Sequence, residues 1–171
     1  PPPRLLNYAD GALADVDEGE AMEQILAVGR ELHPQAVLTW PAAGLSGHAD
    51  HFAVSRWAAW AFEQNEAWDG PPPLALYQMA VPQALADRMR MPPDWGAPDA
   101  AIRHAVDVSA VWEQKLAAIR CHRTQLGQTP ALEAPPDVQR AFLGWEHFVL
   151  AAARQTQGPD PLTVMLQGGT P

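Results

Sequence analysis

The sequence predicts an α/β fold with a mostly parallel sheet, and three observations carry that prediction. Short apolar segments of strand type alternate with longer segments whose apolar residues recur at helical spacing. Proline- and glycine-rich breaks fall between these segments, as turns require. The chain has 171 residues, 47% of them hydrophobic, which suits one domain with a sizeable core.

Taken in order, Arg4-Leu5-Leu6-Asn7-Tyr8 reads as a short strand ended by the turn dipeptide Asp10-Gly11. Met22, Ile25, Leu26, Gly29 and Leu32 then mark an amphipathic helix that stops before Pro34. Ala36–Trp40 is a second strand. The turn-rich Pro41–Ser46 leads into a helix from His48 to Gln64, with Val54, Trp57, Ala58 and Ala61 facing inward. After Pro71-Pro72-Pro73, Leu74–Met79 reads as a third strand and residues 82–90 as a short helix. Met91–Asp99 is loop, Ile102–Val106 a strand, and Ser109 caps a helix running to about Gln125. A last helix starts near Pro136-Asp137, where proline suits the first turn, and presents Val138, Phe142, Trp145, Val149 and Ala152 on one face. The tail after Gly158 reads as extended or loose.

Composition narrows the function classes. A formal charge of −9, with no basic stripe, argues against a nucleic-acid partner. No apolar run approaches membrane-spanning length. The single cysteine, Cys121, allows no intrachain disulfide, and a reducing, cytoplasmic compartment is expected. The sequence is compatible with a homo-oligomer. It opens on Pro1-Pro2-Pro3 with no initiator methionine, so a fragment or processed product is expected.

The stretch with the most chemistry is Gly47-His48-Ala49-Asp50-His51. It follows a buried strand and starts a helix, where open α/β sheets place ligands. At spacing i, i+3 the two imidazoles share a face, and Ser46 or Gly47 is the expected helix cap. A helix start favours anions and neutral imidazole over imidazolium. A neutral ring can bind a metal or donate to a developing oxyanion. Capping alone also draws histidine and aspartate to helix starts, so the spacing leaves both readings open. A second stripe, Lys115, Ala118, His122 and Gln125, borders the apolar arc of Trp112, Leu116 and Ile119. Spacing alone favours the plainer reading, in which Lys115 snorkels from the helix edge and His122 is a hydrogen-bonded rim residue.

Several segments together are similar to a known family. Leu5-Leu6-Asn7-Tyr8-Ala9-Asp10-Gly11, His33-Pro34-Gln35-Ala36-Val37-Leu38-Thr39 and Gly47-His48-Ala49-Asp50-His51 resemble, in this order, the PIG-L/LmbE family. Asp107-Val108-Ser109, Lys115 with His122-Arg123-Thr124-Gln125, and Glu146-His147-Phe148 resemble its later signatures. The resemblance implies a single deacetylase-like domain over residues 1–171, with a Rossmann-like, mostly parallel sheet flanked by helices. It also implies a zinc cofactor and removal of acetyl from an N-acetylglucosamine-like amine, an amino sugar being the small-molecule partner.

Carried over residue by residue, the resemblance makes His51 a zinc ligand. His48 becomes the group that polarises the carbonyl or steadies the oxyanion, and Asp50 its hydrogen-bonded orienting partner. Asp10, Trp95, Lys115 and His122 are the expected substrate contacts, while His33, His104, His147 and Cys121 are given structural roles. There are departures. Ala49 stands where the family commonly has proline, and Thr124 where it has serine. The family's N-terminal strand and its His-Pro-Asp-Asp motif, source of two zinc ligands and the general base, have no match in this sequence. Residues 1–171 alone are therefore expected to bind zinc poorly and to be inactive. The alternatives are a non-catalytic sugar-binding or structural domain of the same fold, and a metallohydrolase of another substrate class.

Overall fold

The computed structural model describes residues 2–64, 66–124, 126–128, 130–154 and 158–168. They form two compact units, Pro1–Met79 with Leu150–Pro171, and Ala80–Val149.

In the first unit, helix α1 (Glu18–Leu32) begins where Asp17 accepts the Glu20 N–H at 2.9 Å. Glu18 and Glu20 occupy its first turn and Arg30 its last, each suited to its end of the helix dipole. It closes at His33, whose positive φ of 45° lets its N–H reach the Gly29 carbonyl. Strand β1 (Ala36–Thr39) follows, then α2 (Ala49–Glu63), which returns the chain to β2 (Ala75–Pro82). β1 and β2 pair parallel, Ala36 to Ala75 through Thr39 to Gln78. A parallel pair needs a crossover, and α2 is that crossover.

The core of this unit lies between α1 and α2. Ala21 and Met22 pack against Ala53 and Trp57, and Leu26 against Ala61 and Trp68. A Cβ added at Gly29 would lie 2.3 Å from the Trp68 ring. Helix propensity favours alanine there by about 1 kcal/mol, whereas overpacking a filled core costs about 1–3 kcal/mol. The collision wins, since Trp68 is itself buried. Gly29→Ala is expected to lower the urea midpoint without changing the slope; a raised midpoint would show that the indole yields.

In the second unit, the end of β2 pairs parallel with β3 (Gly96–Ala97). Strand β4 (Ile102–Asp107) pairs antiparallel with β5 (Trp145–Ala153), Asp107 opposite Trp145 and Ile102 opposite Val149. Helices α3 (Gln83–Arg88), α4 (Trp112–Cys121), α5 (Pro130–Glu133) and α6 (Pro136–Leu143) complete it. Trp112, Leu116, Ala131 and Leu143 form its apolar cluster. Among the described residues no helix is long and apolar enough to cross a membrane.

The structure corrects several expectations. Arg4–Tyr8 is no strand: Asn7 has a φ of 61°, which breaks the extended run, and Leu5 is exposed. The helix expected to continue from Val138 through Ala152 stops at Leu143. Gly144 ends α6, and Trp145, Val149 and Ala152 lie in β5. Their helical spacing is overridden because β4 offers that stretch a ladder of backbone partners. Parallel and antiparallel ladders therefore coexist, and the sheet is mixed instead of mostly parallel.

The helix expected to reach Gln125 ends at Cys121, and Gln125 lies outside the described residues. No Ser109 side-chain bond caps it. Asp107 instead accepts the Ser109 N–H at 2.8 Å, and that bond holds the Asp107 carboxyl below its usual range. Finally, the tail contains a further helix, α7 (Pro161–Leu166). Asp160 caps it by accepting the Thr163 N–H at 3.0 Å, and the Tyr77 hydroxyl donates to the same carboxylate at 2.8 Å.

Candidate active site

The site assembles in the first unit where the β1–α2 loop meets the turn that precedes α1. Beyond Thr39 the chain runs through Trp40 and a bend in which Leu45, Gly44 and Gly47 all have positive φ. This bend turns His48 and His51 back towards Trp40.

His51 is held from two directions. Its ring stacks on the Trp40 indole, with centroids 3.7 Å apart and planes 8° apart. Its Nδ1 lies 2.9 Å from the Gly44 carbonyl oxygen and 2.6 Å from Ser46 Oγ. A carbonyl only accepts, so the Gly44 contact calls for a proton on Nδ1, whereas the Ser46 hydroxyl can also donate to an unprotonated Nδ1. Histidines that ligate metals through Nε2 are commonly fixed in this way, by a carbonyl on the other nitrogen.

His48 is engaged differently. It is the N-cap of α2, its Nδ1 accepting the Asp50 N–H at 3.2 Å, so the cap is His48 and not the expected Ser46 or Gly47. An Nδ1 that accepts is unprotonated, which leaves the proton of the neutral ring on Nε2. The ring centroids of the two imidazoles lie 5.3 Å apart.

The expected hydrogen bond between the Asp50 carboxylate and His48 is not made. The carboxylate stands 4.0 Å from His48 Nδ1 and is engaged elsewhere, accepting Gly11 N–H at 2.8 Å and Leu13 N–H at 3.0 Å. Those amides flank the turn that carries Asp10. Asp10 is exposed, with Oδ1 4.0 Å from His48 Nε2.

Asp10, His48 and Asp50 each offer a ligand atom within 4.8 Å of the others. Both Asp50 oxygens also accept backbone amides, at 2.8 and 3.0 Å. His51, whose ring centroid is 5.3 Å from that of His48, offers a further imidazole beside the trio.

The other expected contacts lie in the second unit. Lys115 Nζ donates to Glu146 Oε1 at 2.6 Å, joining two residues that the family resemblance also named. Trp95 is half-buried at the end of a 3-10 turn, Pro93–Trp95. His122 is exposed just beyond α4, so it does not continue the Lys115–Ala118 stripe on one helix face. Burial pushes His147 below the usual histidine range, against the opposing pull of Glu146. Sequence reasoning missed Trp40, Gly44 and Ser46 as the cage around His51. Their position between a strand end and the histidines was the available signal.

Comparison with known proteins now bears on this geometry. No family model matches the chain. Three bacterial proteins named 1D-myo-inositol 2-acetamido-2-deoxy-alpha-D-glucopyranoside deacetylase are similar to it. The protein of Saccharomonospora viridis is 37% identical over 143 residues, 77% of this chain and 53% of its own length. That of Thermobifida fusca is 33% identical over 86% of this chain and 57% of its own length. That of Thermobispora bispora is 32% identical over 85% of this chain and 54% of its own length. These relatives bear out the resemblance of the chain to the PIG-L/LmbE family. It spans about half the length of these curated relatives.

Proposed function

We propose that this PIG-L/LmbE chain supplies part of the active site of a zinc-dependent hydrolase that removes acetyl from an N-acetylglucosamine-like amine. The observation that supports the reading is the pair of histidines at the start of α2, His48 Nδ1 accepting a backbone amide and His51 Nδ1 lying 2.9 Å from a carbonyl oxygen, contacts that suit opposite tautomers in the two rings. Amide hydrolysis at a metal needs both kinds of ring: a lone pair for the ion and an N–H for the carbonyl oxygen as it gains charge.

In this reading His51 holds the ion through Nε2, its ring fixed by Trp40 and the Gly44 carbonyl. Zinc, when bound, supplies a water whose pKa is lowered to about 7. His48 donates from Nε2 to the acetyl oxygen. Its proton stays in place because the opposite nitrogen is occupied by a backbone amide. Asp10, exposed beside it, accepts from sugar hydroxyls. The remaining ligands and the general base have no counterpart motif in residues 1–171, so the proposal concerns this half of the site.

The relatives' printed names point to 1D-myo-inositol 2-acetamido-2-deoxy-alpha-D-glucopyranoside as the first substrate to try. The protein expressed from its full reading frame should release acetate and a free amine from that compound, and lose the activity on chelation. Hydrolysis of other N-acetyl sugars instead would move the substrate class. Sugar binding without hydrolysis would favour a non-catalytic domain of the same fold.

A further inference from the structure

We propose that Trp40 is a positioning residue that sets the plane of the His51 ring, so that the direction of its outward nitrogen is fixed before a metal arrives. The proposal rests on the reading of His51 as a zinc ligand.

A histidine side chain turns about two torsions, and the one next to the ring is soft. A contact at Nδ1 holds one corner of the ring, which can still swing about that corner. His51 has such contacts, with Nδ1 2.9 Å from the Gly44 carbonyl oxygen and 2.6 Å from Ser46 Oγ. Trp40 supplies the missing constraint. Its ring lies 3.7 Å from that of His51 between centroids and 8° from parallel, so one whole face of the imidazole is covered and tilting is blocked. This near face-to-face arrangement is the one from which two neutral rings gain least. An imidazole that has lent its lone pair to a cation is electron-poor, and the negative face of an indole attracts positive charge more strongly than that of tyrosine or phenylalanine. The stack therefore suits the ring in its ligating state.

What holds the indole in turn is the sheet. Trp40 directly follows Thr39, the buried last residue of β1, which pairs with Gln78 on β2. His51 stands beyond the bend, in the first turn of α2. The bend itself is closed against that helix: a Cβ added at Gly44 would lie 3.2 Å from the Phe52 ring, and its φ of 73° also favours glycine. Strand end and loop thus grip the ring from two directions, one setting its plane and the other its rotation within that plane. Trp40 is half-buried and lies outside both apolar clusters between α1 and α2, so its replacement leaves those clusters intact.

The test reads the ring and the metal, and needs no hydrolysis. It uses the protein expressed from its full reading frame. Trp40→Leu keeps apolar bulk without a ring face, and Trp40→Phe returns a face. Trp40→Met is a second aliphatic replacement should Trp40→Leu fail to fold. In the metal-free protein, the ring current of the indole should move the His51 ring protons upfield, their signals being assigned by their loss in His51→Ala. Competition with a chromogenic chelator gives the zinc affinity. We expect the aliphatic variants to lose the upfield shift and to bind zinc about 10- to 100-fold more weakly, the usual cost of losing an outer partner of a ligating histidine. Trp40→Phe should recover most of that affinity. Parent-like affinity in a folded aliphatic variant, a loss as large in Trp40→Phe, or unshifted His51 protons in the parent overturns the proposal. A parent that binds zinc but releases no acetate would overturn the proposed function and leave these readouts intact.

Discussion

Replacing His48 with alanine is expected to lower the single-turnover rate about 100- to 1000-fold while zinc content stays at the parent level. That range is what removal of one preorganised donor to a developing oxyanion typically costs, about 2.7–4 kcal/mol of barrier. The effect is large because this donor is fixed before substrate arrives. Its Nδ1 is tied to the α2 backbone and its Nε2 keeps the proton. His48 is only partly covered, with a side chain 42% exposed, so truncation removes little packing. His48→Gln returns an N–H at a similar distance and should recover part of the loss. Rapid-quench hydrolysis with elemental analysis on the same samples separates rate from metal. A parent-like rate in His48→Ala would remove the donor role.

The second large effect is on the metal. His51→Ala in the protein expressed from its full reading frame should weaken zinc affinity by more than about 100-fold. Changing only an outer partner of a ligating histidine typically costs 10- to 100-fold, and here the ligand itself is lost. The helix should survive, because His51 is half-buried at the first turn of α2 and lies outside the apolar cluster of Ala53 and Trp57. Far-ultraviolet circular dichroism should therefore be unchanged while competition with a chromogenic chelator reads the loss. The same titration on residues 1–171 alone is expected to show weak binding, as one imidazole cannot hold the ion tightly. Tight binding retained in His51→Ala would place the ligands elsewhere.

Helix α1, the strand–helix–strand run from Ala36 to Met79, and strand β4 could be recognised from the sequence because each is decided within a few residues. Apolar spacing selects their period, His33-Pro34 ends one helix, and Pro71-Pro72-Pro73 separates the next. Gly47-His48-Ala49-Asp50-His51 stood out as a candidate on the same local grounds, and its family resemblance agrees with the deacetylase relatives. Only the tertiary structure decided that Trp145–Ala153 is a strand, since the partners of its first half, Trp145–Val149, lie on β4, some forty residues earlier in the chain. It alone showed that the Asp50 carboxylate serves Gly11 and Leu13, 39 and 37 positions away, instead of the imidazole two positions away. Stacking of Trp40 on His51 likewise depends on how the loop between them bends. Spacing along the chain specifies which side chains share a face. Which acceptor a distant amide finds is settled only when separate segments pack and each buried polar group must be paired.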